Sequence, residues 1–143
     1  MAGHDLIIVG AGIIGAACAD IASAEGLRVA IVEPGLVGAG VTAASMGHLV
    51  AVDGDSTELA LSQYSKGLWE ALQDIPDAQF SRCGTLWVAI DDDDCARIAP
   101  KRDRLVAAGI KAEPVDATQL HELEPSLAPG LAGGLLIPDE AVV

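Results

Sequence analysis

A glycine triplet, Gly10-x-Gly12-x-x-Gly15, directly follows the apolar run Leu6-Ile7-Ile8-Val9. The spacing is common by itself; its surroundings give it meaning. A short continuous apolar run reads as a strand covered on both faces. From Ile13 to Glu25 the small residues Gly15, Ala16, Ala17, Cys18, Ala19 and Ala22 read as a closely packed helix, and Gly26 is a natural stop. Arg28 to Val32 reads as a second buried strand, closed by Glu33-Pro34-Gly35. Strand, helix and strand make a βαβ unit, the setting in which this triplet binds a dinucleotide.

Each part has a physical task. Gly10 permits a tight turn out of the strand. Gly12 lets a pyrophosphate approach the backbone, and Gly15 lets the helix lie close to the sheet. Free N–H groups and the positive dipole end at the helix start suit phosphates. Glu33 lies about 18 residues beyond Gly15, close to the ~20 expected of a carboxylate that takes ribose hydroxyls. That carboxylate disfavours a 2′-phosphate and so argues against NADP.

The triplet does not decide between FAD and NAD. The stretch Gly38-Ala-Gly40-Val-Thr42-Ala-Ala-Ser45-Met-Gly47-His48 is a second loop of small and hydroxyl-bearing residues. Such a loop lets backbone approach a long, flat ligand, which favours FAD and leaves NAD open.

The segments Ile7 to Gly15, Val32-Glu-Pro-Gly35 and Val41 to His48 resemble the amino-terminal part of the D-amino-acid oxidase family of FAD enzymes. Cys83 to Ala89, Leu123 to Leu127 and Gly134 to Asp139 fit as well. The resemblance covers nearly all of this chain and roughly the first third of a family member. It implies an α/β fold: a Rossmann-like FAD/NAD(P)-binding domain, with the beginning of an inserted β-rich substrate domain. Residues 1–76 would belong to the first and 77–143 to the second. It places Ile13 and Ile14 beside the pyrophosphate, Glu33 and Pro34 beside the adenosine ribose, and Val41 and Thr42 near the ribityl phosphate. Met46, Gly47 and His48 would lie near the isoalloxazine. The implied activity is oxidation of a small amine or amino acid. The alternatives are an NAD-dependent dehydrogenase and a non-catalytic flavin-binding subunit. No catalytic residue is named, because the family's substrate clamp would lie beyond Val143.

Composition excludes other classes. The net charge of −13 repels phosphate backbones and anionic lipid, so nucleic acid is not expected as a partner. A hydrophobic fraction of 51% and a mean hydropathy of +0.42 suit a folded chain. No run approaches the ~20 apolar residues of a membrane span. The start, Met1-Ala-Gly-His-Asp5, lacks the basic region of a secretory signal. The expected location is the cytoplasm. Cys18, Cys83 and Cys95 show no CxxC pair, so they read as buried thiols rather than a zinc or disulfide set.

Further along, Asp55 to Asp74 reads as an amphipathic helix, with Asp55 and Glu58 as a capping box and Leu61, Tyr64, Leu68 and Leu72 as its apolar stripe. Phe80 to Ile90 reads as a strand with Leu86, Val88 and Ile90 on one face. Asp91 to Ala108 reads as a helix opened by four acids, which favour its N-terminal dipole and cannot converge on a metal ion. Lys111 to Val115 reads as a short strand, Asp116 to Gln119 as a second capping box, and Gly133 to Val143 as strand, turn and strand. The chain stops inside an apolar pattern. It is therefore expected to be a portion of a longer protein, or a half that needs a partner subunit.

Overall fold

The computed structural model describes residues 3–51 and 54–143. They fall into two compact units, residues 1–46 and 47–143; the expected 76/77 boundary lies inside the second.

In the first unit, β1 (Leu6–Val9) pairs in parallel with β2 (Val29–Val32), Leu6 opposite Val29 and Val9 opposite Val32. Between them runs α1 (Ile13–Ala24), ended at Gly26, whose φ of +84° suits only a residue without a Cβ. The parallel βαβ arrangement read from the apolar runs is therefore present. Their burial is not: Ile7, Val9, Ile31 and Val32 are exposed, and α1 has no buried residue. A parallel pair is ordinarily covered on both faces. Apolar runs record that a face needs cover, and among the described residues of this unit little supplies it. Asp5 and Arg28 close the open end of the pair with a fork of hydrogen bonds, each 2.9 Å.

The second unit begins with β3 (His48–Leu49), paired antiparallel with β7 (Ala141–Val142). Glu140, 1% exposed, ties the two together: one carboxylate oxygen accepts the Ala51 N–H, and the other has no partner among the described residues. Next come α2 (Ser56–Glu70) and a 3₁₀ turn at Pro76–Ala78. Then follow β4 (Thr85–Ala89), α3 (Asp92–Ala107), β5 (Glu113–Asp116), α4 (Ala117–Leu123) and β6 (Gly133–Ile137). A three-stranded antiparallel sheet has the order β4-β6-β5. The core gathers Leu59, Leu105, Ile110, Leu135 and Ile137, with Trp87 and Ile98 packed against it. This is the expected mixture of a Rossmann-like unit and a β-containing continuation.

The caps follow the sequence reading closely. Asp116 and Gln119 form both halves of a capping box. Asp55 accepts the N–H groups of Thr57 and Glu58, which is the Asp55 half of its box. Asp91 caps α3 through the Asp94 N–H, and the other acids fill the first turn.

Three readings need correction. The α2 stripe of Leu61, Tyr64, Leu68 and Leu72 faces outward, 42–68% exposed. The face turned inward carries Leu59, Ser62, Gln63, Lys66 and Trp69, held by Gln63 Nε2 donating to the Ala108 carbonyl at 2.8 Å. Helical periodicity reveals an apolar face, not which neighbour covers it. On β4 the residue packed on the core is Trp87, and Ile90 is exposed beyond the strand end. Cys18 and Cys83 are exposed rather than buried: Cys18 stands on α1, which has no buried residue, and Cys83 lies in the loop before β4.

Candidate cofactor site

The site is built where β1 gives way to α1. Gly10 turns out of the strand with φ +107°, and its N–H donates to the Val32 carbonyl at 2.8 Å. A Cβ on Gly15 would collide with the Gly10 carbonyl and press on Ile8 Cγ2; the third glycine is the condition for α1 to lie on β1. Gly12 is the N-cap of α1 and offers no side-chain cap. The first-turn N–H groups of a helix have no intrahelical acceptor.

Two side chains come to this mouth. Glu33, just past β2, accepts the Ala11 N–H at 2.9 Å through Oε2 and the Gly35 N–H at 3.0 Å through Oε1. Those two bonds, Ala11 first, hold its pKa below the ordinary 4.5. A carboxylate has about four acceptor positions, so roughly two remain for hydroxyl donors. Thr42 Oγ1 accepts the Ile13 N–H at 3.0 Å, and a Cβ on Gly12 would stand 3.1 Å from it. Its hydroxyl proton remains available to donate to an oxyanion. The residue 38–45 loop is fastened by the Gly38 N–H donating to the Ala11 carbonyl at 2.9 Å, and closes on itself through Ala43 to Gly38 and Ala44 to Gly40.

The result is an open cleft of about 600 Å³, within the range of pockets that hold a cofactor. Of the residues expected at the cofactor, Gly10, Gly12, Ile13, Ile14, Gly15, Glu33, Val41 and Thr42 line it. Pro34 and Met46 are exposed and do not. Gly47 and His48 belong to the second unit, where Gly47 takes φ +68° against the Val143 carbonyl and its own carbonyl accepts the Val143 N–H at 3.0 Å. Sequence reasoning missed Ala11, 6% exposed and bonded through both backbone groups, and Cys18, which lines the cleft. Cys18 was legible: it lies one helical turn beyond Ile14 on the same face.

A parallel βαβ unit with a glycine turn, a helix start that its own N-cap residue leaves without a side-chain cap, and a carboxylate at the end of the second strand defines a dinucleotide-binding protein. Residues 5–143 match the family described as FAD dependent oxidoreductase, and the chain belongs to it. FAD is the cofactor of that family, which settles the choice between FAD and NAD. Glycine oxidase from Geobacillus kaustophilus superposes with a TM-score of 0.87 at 28% identity, over 98% of this chain and 40% of that one. The L-α-glycerophosphate oxidase of Mycoplasma pneumoniae, with FAD bound, superposes with a TM-score of 0.84 at 23% identity, over 100% and 39% of the two chains. One component of the anaerobic glycerol-3-phosphate dehydrogenase of Escherichia coli, named as a subunit of that enzyme, is 29% identical over 96% of this chain and 26% of its own length. The chain thus spans between a quarter and two fifths of these relatives. Among the described residues no helix is long and apolar enough to cross a membrane.

Proposed function

We propose that this chain supplies the amino-terminal part of an FAD-dependent enzyme that oxidises a small amine or amino acid. The observation that carries the reading is the glycine-lined mouth of α1, with Glu33 bonded to Ala11 at its rim, in a chain that belongs to an FAD family and is similar to a glycine oxidase. When bound, FAD supplies the acceptor for a hydride from the substrate Cα–N bond. The chain's residues bind and orient it. The first-turn N–H groups beside Ile13 and Ile14 that Thr42 does not take receive the pyrophosphate, and the free proton of Thr42 donates toward it or the ribityl phosphate beside Val41. Glu33, with Pro34 next to it, takes the adenosine ribose. Met46, Gly47 and His48 are assigned to the isoalloxazine. Residues 1–76 are assigned to the FAD domain and 77–143 to the substrate domain, in a cytoplasmic protein.

A second reading follows from the glycerol-3-phosphate dehydrogenase relative: the substrate is a polyol phosphate and the hydride leaves a C–O carbon. Glycine and glycerol 3-phosphate share one chemical property, a small body carrying an anionic end. The same relative is one member of an assembly, so the open apolar faces of the first unit suit either the remainder of the family fold or a partner subunit.

The test is anaerobic reduction of FAD-loaded protein, followed in the visible flavin bands. Bleaching by glycine, sarcosine, proline or a D-amino acid is expected. Bleaching by glycerol 3-phosphate alone transfers the assignment to the second reading. Protein that holds FAD but is bleached by neither class is a flavin-binding subunit, and the enzymatic reading falls.

A further inference from the structure

This chain carries 21 acidic residues and eight Lys or Arg. With such an excess of carboxylates, a cation is expected to find a partner. Arg28, Arg82, Arg97, Arg102 and Lys111 do so, with Asp5, Glu70, Asp94, Asp103 and Glu113 respectively. Lys101 and Arg104 are engaged as well. Lys66 alone has no hydrogen bond or ion pair among the described residues. Its natural helix partner one turn on, Glu70, is turned instead to Arg82 at 3.3 Å.

Lys66 is half-buried on the inward face of α2, and it does not point into a void without chemistry. With Ser62 and Trp69, one turn to either side, and its neighbour Ser65, it lines an open cavity of about 90 Å³ together with His48, Leu49 and Val50. Ser62 donates its proton to the Leu59 carbonyl at 3.0 Å, which leaves the Ser65 hydroxyl, the Lys66 ammonium and an imidazole N–H of His48 as donors at the cavity. A neutral imidazole always retains one N–H. A lysine ammonium and two further donors, with no carboxylate among the described residues that line the cavity, are the complement of an oxyanion. The volume sets the size: water occupies about 30 Å³ in the liquid, so the cavity admits a carboxylate or phosphate group but not a whole drug-sized ligand, which needs ~300 Å³ or more.

We propose that Lys66, Ser65 and His48 form an oxyanion subsite that takes a single small carboxylate or phosphate group. Its lining residues all belong to the second unit, and it shares His48 with the residues assigned to the isoalloxazine. It rests on the proposed function only for the source of its occupant. That source is either free anion or the anionic end common to both proposed substrate classes. The ammonium supplies charge, Ser65 and His48 fix orientation, and Trp69 shields one side from water.

The experiment titrates the FAD-saturated chain with inorganic phosphate at constant ionic strength in chloride, so that the cleft is closed to phosphate. Binding is followed by calorimetry and by Trp69 emission, taken as the difference from the Trp69→Phe variant. Saturable binding in the millimolar range or tighter is expected, weakened about tenfold or more by Lys66→Met and kept by Lys66→Arg. Ser65→Ala, which leaves the charge in place, is expected to weaken it several-fold. Displacement of phosphate by glycine or glycerol 3-phosphate marks a substrate-borne group; retention against both marks a free anion. The absence of saturable heat and emission change in the parent chain, or identical titrations of parent and Lys66→Met, overturns the subsite. FAD loading is read separately in the visible spectrum, so failure of the subsite and failure of the FAD reading are distinguishable.

Discussion

The two units of this chain are held together differently. In residues 1–46 Ala11 is the one buried hydrophobic residue among those described, and Val9, Ile14, Leu36 and Val41 are 79–89% exposed. In residues 47–143 Leu105 and Leu135 are fully buried and Ile137 nearly so. Yet the first unit carries the better-defined site. Its geometry comes from backbone: three glycines, a strand ladder, and two side chains that accept N–H groups. A cofactor mouth therefore needs close approach and positive φ more than it needs a side-chain core, and its apolar faces await cover. The second unit shows the converse, a packed core beside a helix whose own apolar stripe faces out.

If that contrast is right, the largest effect should come from spoiling backbone approach. Gly15→Val places branched carbons against the Gly10 carbonyl, an overpacking cost on the order of 3 kcal/mol or more. FAD recovered with the protein after gel filtration should fall to background, while the unfolding signal of the second unit stays in place. Retention of FAD at the parent level would mean that α1 does not need Gly15 to reach β1, and the account of the first unit would be wrong.

The next contrast is between side chains. Leu135→Ala removes a fully buried side chain from the second core and should cost about 2–5 kcal/mol. Ile14→Ala removes one that is 79% exposed and should change stability by no more than about 0.5 kcal/mol. Urea denaturation of the two variants measures both. Equal losses would show that the first unit shares a core that its exposure denies.

What could be read in advance divides along the same line. The positions of Gly10, Gly15 and Glu33 were legible because a turn, a close approach and a carboxylate just past the second strand are local properties of the chain, and the structure places all three at one mouth. The capping box at Asp116 and Gln119 was legible for the same reason. The stripe on α2 and the burial of β1 were misread because cover is supplied from elsewhere, and periodicity does not say from where. Lys66 carried no signal in the sequence: its meaning lies in the absence of a partner, which becomes visible only after every other cation has found one. Asp116→Ala tests the local class directly. It should cost about 1 kcal/mol, a loss that thermal unfolding can resolve and that is smaller than the core deletion.

The smallest effect, and the one that speaks most directly to the cleft, is the pH dependence carried by Glu33. Its carboxylate is held below its ordinary pKa of 4.5 by the N–H groups of Ala11 and Gly35. A group depressed in the folded state binds its proton first in the unfolded state. Its contribution is therefore complete above 4.5 and is lost as pH falls through the lower, folded value. Asp5, held down by Arg28, and Asp55, held down by the N–H groups of Glu58 and Thr57, are depressed in the same direction, from an ordinary 3.8. Comparing the parent chain with Glu33→Gln cancels their share. The parent should have the higher urea midpoint near neutral pH, and the gap should close below 4.5. Because Glu33 is only partly buried, the gap will be small. FAD should enlarge it: ribose hydroxyls donating to the same carboxylate add bonds that favour its charged form, so the gap persists to lower pH when FAD is bound. A gap unaltered by both pH and FAD would leave Glu33 a loop brace and remove the ribose from its reach.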